Sequence, residues 1–370
     1  MFSCPGWLRS QRFLLKLMCL LAVLECVGIA LGIRWAVNCR RATQSRFSER
    51  LDSNLEEAGL TQPAPRPELR DPATTITAGV YVDEIKGVSI RDLQCQLGFT
   101  IWFRWPESSG LTPEEMLEFS VVNGRIESRE VEEQLQVDDH YYLRCRVVAE
   151  LTVRWELDRF PLDHQQIILA VEHARKPQTE LQYQADAKNC RVSSRVAIPL
   201  WQVSGLSVFE KPHAWQTSRG DPRQLDGEMV SWSQLRAIIS LAPRSWGYHL
   251  KLFQCTWIAV AIALAALLVP PQFVDPRFGL GVGGLFAAVA NSWVTQELIP
   301  DTGIMTLADL INFVSTSLIL LTILVSILSL HLHETFGQQS LSKYLDKGCF
   351  LLLAPGYLLF QILLAAFAAG

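Results

Sequence analysis

"ELDRFPLDHQQ", residues 156–166, is the stretch on which the fold turns. An alternating run, "VVAELTVRW" (147–155), precedes it, and an apolar run, "IILAVEH" (167–173), follows it. Two strands joined by a short loop read this way. The loop sets Pro161 and Asp163 beside two large apolar residues, Phe160 and Leu162. A solvated turn has no need of that apolar pair. The loop therefore reads as one that presses against another surface.

On either side, residues 74–246 keep the same character. "VYVDEIKGVSI", "DLQCQLGFTIWFRW", "YYLRCRVVAELTVRWEL", "WQVSGLSVFE" and "SWSQLRAIISL" are short strands broken by turn clusters. About ten such strands predict an all-β, immunoglobulin-like sandwich. Beyond it the chain changes. Cys255–Pro271, Phe278–Ile299, Leu310–Leu330 and Cys349–Ala369 are apolar runs that approach the roughly 20 residues needed to cross a bilayer. The second is rich in Gly and Ala and carries Asn291. A fifth run, Phe13–Ile33, follows Arg9, Arg12 and Lys16. It reads as a signal peptide or a signal-anchor helix, and its length and the lack of a small-residue cleavage site favour a retained crossing. Residues 42–60 space Phe47, Leu51 and Leu55 four apart among charges, as in a short amphipathic helix. "TQPAPRPELRDPA" is a Pro-rich linker.

The expected organisation is thus 1–41, a cytoplasmic segment with the first apolar helix; 42–73, a short helix and linker; 74–246, the β domain; and 247–370, an all-α four-helix membrane domain. The basic cluster before the first run puts the N-terminus inside and the β domain outside, on the periplasmic side of a bacterial inner membrane. Lys343 and Lys347 in the last loop agree, whereas Arg34, Arg40 and Arg41 oppose the rule locally. A hydrophobic fraction of 49% fits a membrane protein, and a net charge of -4 gives no reason to expect nucleic acid. Cys95, Cys145 and Cys190 fall in the β domain, where a Cys95–Cys145 bridge and buried free thiols are both open.

An outer β-sandwich followed by four membrane helices resembles the pentameric ligand-gated ion channels, the Cys-loop receptor superfamily, and its bacterial members most closely. The resemblance spans about residues 74–370. Trp105 and Glu107 stand in the place of the family's Trp-x-Asp, and Asn123 resembles the Asn after its first ligand loop. Phe160–Asp163 with Gln165 matches the signature loop Phe-Pro-x-Asp-x-Gln. Arg244 stands where the family has an Arg before its first membrane helix, and "LIPDTGIMTLAD" (298–309) matches the loop joining the second and third. The family's naming disulfide is absent, its positions falling on Val153 and Ile167. Thr256 stands in place of the Pro in the first membrane helix, Thr100 replaces a ligand-contacting aromatic, and no vicinal cysteines mark the last hairpin.

The resemblance implies a homopentamer in the lipid bilayer that binds a small-molecule ligand between neighbouring sandwiches and passes inorganic ions. Phe160, Pro161 and Leu162 would rest on the loop around Pro300, and Asp163 would pair with Arg244. Tyr183, Phe209 and Trp215 lie near the loops that would surround the ligand. The helix in "DPRFGLGVGGLFAAVANSWVTQELIP" (275–300) would line the pore, with Asp275 as its cap. Helical spacing puts Gly279, Gly283, Phe286, Ala290, Trp293, Val294 and Glu297 on one face. The Pro276-Arg277 junction points towards anion selectivity, while Asp275 and Glu297 pull the other way. Four glycines within six residues suggest close helix packing, which also suits a membrane-anchored sensor that never conducts. No His-Glu-x-x-His, phosphate loop or nucleophile elbow occurs, so no enzyme, cofactor or metal is expected. "HLHE" (331–334) reads as the polar end of the third membrane helix rather than a metal pair.

Overall fold

The computed structural model describes residues 6–52, 74–215, 230–301 and 303–369. The Pro-rich linker lies outside them. The chain forms a mixed β-sheet region with long apolar helices at its N- and C-terminal ends. It divides into two compact units. One holds residues up to Ala42, Glu156–Asp163 and Ser245 onward; the other holds Thr43–Trp155 and His164–Arg244.

The first helix, α1, is a single element from Gly6 to Leu51. Residues 42–51 of the amphipathic helix expected at 42–60 are therefore the end of α1, and 53–60 lie outside the described residues. The chain between Ile33 and Leu51 contains neither Pro nor Gly, so nothing breaks the helix there. The β unit contains β1 (Thr74–Ser89), β2 (Gln94–Pro106), the short helix α2 (Pro113–Met116), β3 (Phe119–Val121), β4 (Gly124–Val137) and β5 (His140–Thr152). It continues with β6 (Gln165–His173), β7 (Leu181–Ala185), β8 (Arg191–Val192), β9 (Trp201–Glu210), β10 (His213–Trp215), β11 (Val230–Trp232) and β12 (Gln234–Pro243).

One sheet has the order β4-β5-β2-β1-β7 with β8 also on β1, and a second has the order β3-β6-β12-β9; β10 and β11 form a separate pair. The described residues thus hold twelve strands rather than ten. The larger sheet is mixed, because β7 and β8 join β1 in parallel. Neither parallel partner is adjacent in sequence to β1, so no local hairpin signal marks the pairing.

Period-2 alternation sets the core. On β2, Leu97, Phe99, Ile101, Phe103 and Trp105 are fully buried. Phe103 lies 5.3 Å from Phe119 and 6.0 Å from Tyr183, ring centre to ring centre. Cys95, Cys145 and Cys190 are buried free thiols. Burial pushes the Cys95 thiol up to about 12, which keeps it protonated and unreactive.

His173 closes the end of β6. Its Nδ1 accepts from the backbone N–H of Arg175 (3.2 Å) and Lys176 (3.0 Å), so the ring proton sits on Nε2 and is donated to Glu115 O at 3.0 Å. Burial lowers its pKa from 6.5. Below that value the unfolded chain binds the proton more readily than the folded one, so stability falls as pH falls. The β unit is expected to unfold at lower temperature as pH falls below 6.5, measured by thermal denaturation. His173→Gln should flatten that part of the profile.

The helical unit contains α3 (Gly247–Ala265), α4 (Val274–Glu297), α5 (Leu307–Glu334) and α6 (Gln339–Ala369). With α1, these make five helices long and apolar enough to cross a membrane. Side-chain hydrogen bonds tie three of them together. Asn291 Nδ2 donates to Thr256 Oγ1 at 2.9 Å and to Leu252 O at 3.1 Å; Asn312 Nδ2 donates to Thr295 Oγ1 at 2.8 Å. Thr256 thus supplies an acceptor for the Asn that interrupts the second apolar run. An amide is tolerated among apolar helices when its partners lie within the bundle of side chains around it.

Candidate functional site

Three features stand out: a loop, a helix face and a cavity on a sheet. The loop is Glu156–Asp163, which belongs to the helical unit although it lies between two strands in sequence. It is a tight turn closed by Phe160 N–Leu157 O (3.0 Å) and Leu162 N–Arg159 O (2.8 Å). Phe160, Leu162 and Asp163 are almost fully buried, while Pro161 is half-buried. The Phe160 ring meets Tyr248 of α3 edge-on at 6.2 Å. Asp158 O accepts the backbone N–H of Leu307, the first residue of α5, at 3.0 Å.

Arg159, absent from the expected contacts, donates from Nη1 to Ala368 O at the end of α6, at 2.9 Å. This caps a carbonyl that the helix end leaves without an internal partner. Burial lowers the Arg159 pKa and the charge of Asp163 raises it, so this carboxylate helps hold the buried cation. The loop therefore engages the start of α3, the start of α5 and the end of α6. The Pro300 loop was the expected seat; Pro300 is half-buried, and the contact observed falls further on, at Leu307. Arg244 is exposed and belongs to the β unit, where its N–H bonds Leu200 O at 2.8 Å.

The helix face is on α4. Gly279, Gly283, Phe286, Ala290, Trp293, Val294 and Glu297 are all exposed on it. Phe286 is 73% and Trp293 67% exposed. The opposite face, with Arg277, Gly281, Gly284, Ala288 and Thr295, is packed. The four glycines divide between these faces. A Cβ on Gly284 would come within 2.8 Å of Ala259 O, and one on Gly281 within 2.9 Å of Ile323 Cγ1, so these two let neighbouring helices approach. Gly279 and Gly283 face open space.

Two expectations for this helix need correcting. Asp275 lies in its first turn and Phe273 occupies the cap position, because the helix starts two residues earlier than the Asp-Pro signal suggests. Arg277 does not join the exposed face. It is buried in a two-pronged pair with Asp346 of α6, at 2.9 and 2.5 Å. Its charge is thereby matched within the unit.

The cavity, of about 540 Å³, lies on the larger sheet and is lined by Tyr81, Trp102, Arg104, Tyr142, Arg144 and Asp186 among others. Register places Trp102 opposite both Gly79 and Arg144, and Arg104 opposite Thr77 and Tyr142. The Trp102 indole lies over Gly79, where an added Cβ would run into the ring; only Gly leaves that room. Trp102 Nε1 donates to Asp186 Oδ2 at 3.2 Å, and Asn189 holds both oxygens of that carboxylate at 2.8 Å. Arg144 is met by Glu132 and Glu133, each at 3.0 Å. Sequence reasoning missed this cavity; the signal available was the alternation of "FTIWFRW", which puts Thr100, Trp102 and Arg104 on one face.

The residues expected around a ligand are placed differently. Tyr183 is a buried core residue whose ring lies tilted beside Phe103, so it is not available to a ligand. Phe209 is half-buried on β9, opposite Arg236. Trp215 ends β10, and its side chain lies outside the described residues. No group of three His, Cys, Asp or Glu among the described residues is arranged to hold a metal. His331 and Glu334 lie in the last turn of α5, where His331 Nδ1 meets Thr335 Oγ1 at 3.0 Å. Neither a protein-family model nor a curated protein sequence matches the chain.

Proposed function

We propose that the chain is one subunit of a homopentameric ligand-gated ion channel in a lipid bilayer. In this reading the two sheets form an outer sandwich, α3–α6 form the membrane bundle, and five copies of α4 surround the pore. The observation that carries it is the open face of α4. Small residues at 279, 283 and 290 alternate there with Phe286 and Trp293, and Asp275 and Glu297 stand exposed near the two ends. Five such faces give a path with an apolar constriction and acidic rings, the elements that gate and bias ion flow.

A small ligand would bind at the Tyr81–Trp102–Tyr142 cavity, where aromatic faces, Arg104 and Asp186 offer both stacking and charged hydrogen bonds. Its differential affinity for two states would set how far the closed–open equilibrium shifts. The Glu156–Asp163 loop would carry that shift, since it grips three helix ends at once. Buried Arg277 contributes no ring charge in this arrangement, so the anion-selective expectation rests on the Pro-Arg resemblance alone.

Averaged particle images of the detergent-extracted protein, viewed down the membrane normal, test the assembly. A ring of five agrees; a monomer ends the channel reading. The alternative is a membrane-anchored sensor with the same fold that does not conduct. The absence of Ser and Thr hydroxyls from the open face of α4 favours it. Ligand binding without ion flux would select it.

The coupling role makes its own prediction. Asp163 is proposed to pair with Arg244, and its charge already acts on Arg159. A double-mutant cycle of Asp163→Ala with Arg244→Ala should show a coupling of about 0.5–3 kcal/mol in stability or gating. Additive effects remove the pair. Non-additivity with Arg159→Ala alone assigns Asp163 to the cation beside it.

A further inference from the structure

On the smaller sheet the β unit holds another cavity, of about 290 Å³, and α1 supplies one of its walls. The last turns of α1, from Thr43 onward, belong to this unit. Buried Lys211 pins them, donating from Nζ to Asp52 O at 3.0 Å and to Glu49 O at 3.5 Å. Arg46, Glu49 and Arg50 line the cavity from α1, and Arg154 lines it from the chain just after β5. Gln166 of β6 and Arg236 of β12 line it from the sheet, on the face opposite the core residues Ile167 and Leu169. Four guanidinium groups thus surround one space. Against them stand two carboxylates, Glu49 in the lining and Glu172 beside it, which holds His213 at 2.7 Å and Gln234 at 2.8 Å. Among these described residues two positive charges remain in excess.

We propose that this cavity binds a small hydroxycarboxylate, an acid that carries two carboxylate groups and a hydroxyl. The sum of charge around the space, rather than any one side chain, calls for the anion. A guanidinium can grip a carboxylate through two parallel hydrogen bonds, which makes Arg the side chain suited to it. The arginines come from three separate segments, so a dianion with a group at each end reaches more of them than a single carboxylate does. Gln166 calls for the hydroxyl. It is 4% exposed, and its Oε1 is buried without a hydrogen-bond partner. A carboxylate only accepts and cannot satisfy that oxygen, whereas a hydroxyl donates to it. The volume lies near the lower end of ligand cavities, roughly 300–1,000 Å³, which suits an acid of a few carbons rather than a lipid or a peptide. The α1 wall lies before residue 74, outside the resemblance to the channel family, and the Tyr81–Trp102–Tyr142 cavity is on the other sheet. The site therefore stands apart from the channel reading.

Calorimetric titration of the full chain in lipid nanodiscs, at low salt and with malate as the probe, tests this. Malate is expected to bind. Succinate, which lacks only the hydroxyl, should bind roughly tenfold more weakly, because the Gln166 oxygen then stays unmatched. Arg50→Gln removes one charge from the α1 wall and should weaken malate roughly tenfold or more, the scale of one lost charge-assisted hydrogen bond. Gln166→Leu should bring malate down to the level of succinate and leave succinate nearly unchanged. If Arg50→Gln does not fold, Arg46→Gln tests the same wall. No malate binding to the wild type, equal affinity for malate and succinate, tighter binding of inorganic phosphate than of malate, or wild-type affinity in the folded Arg variant would overturn the proposal.

Discussion

Replacing Asp346 by Ala is expected to cost the folded protein about 3–5 kcal/mol. The Arg277 side chain is fully buried and that of Asp346 is 5% exposed. Both guanidinium nitrogens of the fork are engaged by the carboxylate, and Nη1 also reaches Val269 O at 3.2 Å. Ser329 Oγ donates to the same carboxylate at 2.7 Å, and Ser342 Oγ donates to Ser329 O at 3.0 Å. Removing Asp346 therefore leaves a buried cation without its counter-charge and leaves the Ser329 hydroxyl with Ser342 Oγ, at 2.7 Å, in place of the carboxylate. The attraction in the pair has to be set against the desolvation of both charges, so its net worth is small even though breaking it is expensive. That asymmetry gives a control. Arg277→Met with Asp346→Leu, which removes both charges, should recover most of the loss. Chemical denaturation in detergent measures both variants. If Asp346→Ala loses less than about 1 kcal/mol, the pair is solvated in a way the burial contradicts.

This pair shows where the sequence stops being informative. Arg277 was visible, and its place beside Pro276 suggested a role at the pore. Its partner lies 69 positions away on another helix, and no local pattern links them. Arg159 is a similar case: its partner is a backbone carbonyl 209 positions distant. A main-chain oxygen carries no side-chain signature at all.

What could be read was periodic. The two-residue alternation of β2 carries the signal that sets its buried Leu97–Trp105 face apart from Thr100, Trp102 and Arg104, although the strand was read only as a strand. The 3.6-residue period of α4 placed all seven face residues together, since helix geometry fixes which side chains align once the helix is found. Phe160 and Leu162 were legible because a short turn framed by large apolar groups has to bury them. Tyr183 was misread for the converse reason. An aromatic on a strand near loops looks the same whether it points in or out, and the parallel pairing of β7 with β1 decides it. The length of α1 was missed because charges at its end resembled a separate surface helix.

If the open face of α4 lines an ion path closed at Phe286, as proposed, ion flux through Phe286→Ala reveals it. Five phenyl rings meeting on an axis would exclude the hydration shells of ions and close the path without a charged barrier. Phe286 is well suited to change, because its side chain is 73% exposed and its removal leaves no core cavity within the subunit. Purified wild-type and variant protein are reconstituted into liposomes, and potassium and chloride efflux are followed without added ligand. The variant is expected to leak at least roughly tenfold faster than wild type, as loss of an apolar constriction lets water and ions through. A folded, pentameric, correctly inserted variant that leaks no faster than wild type would contradict it.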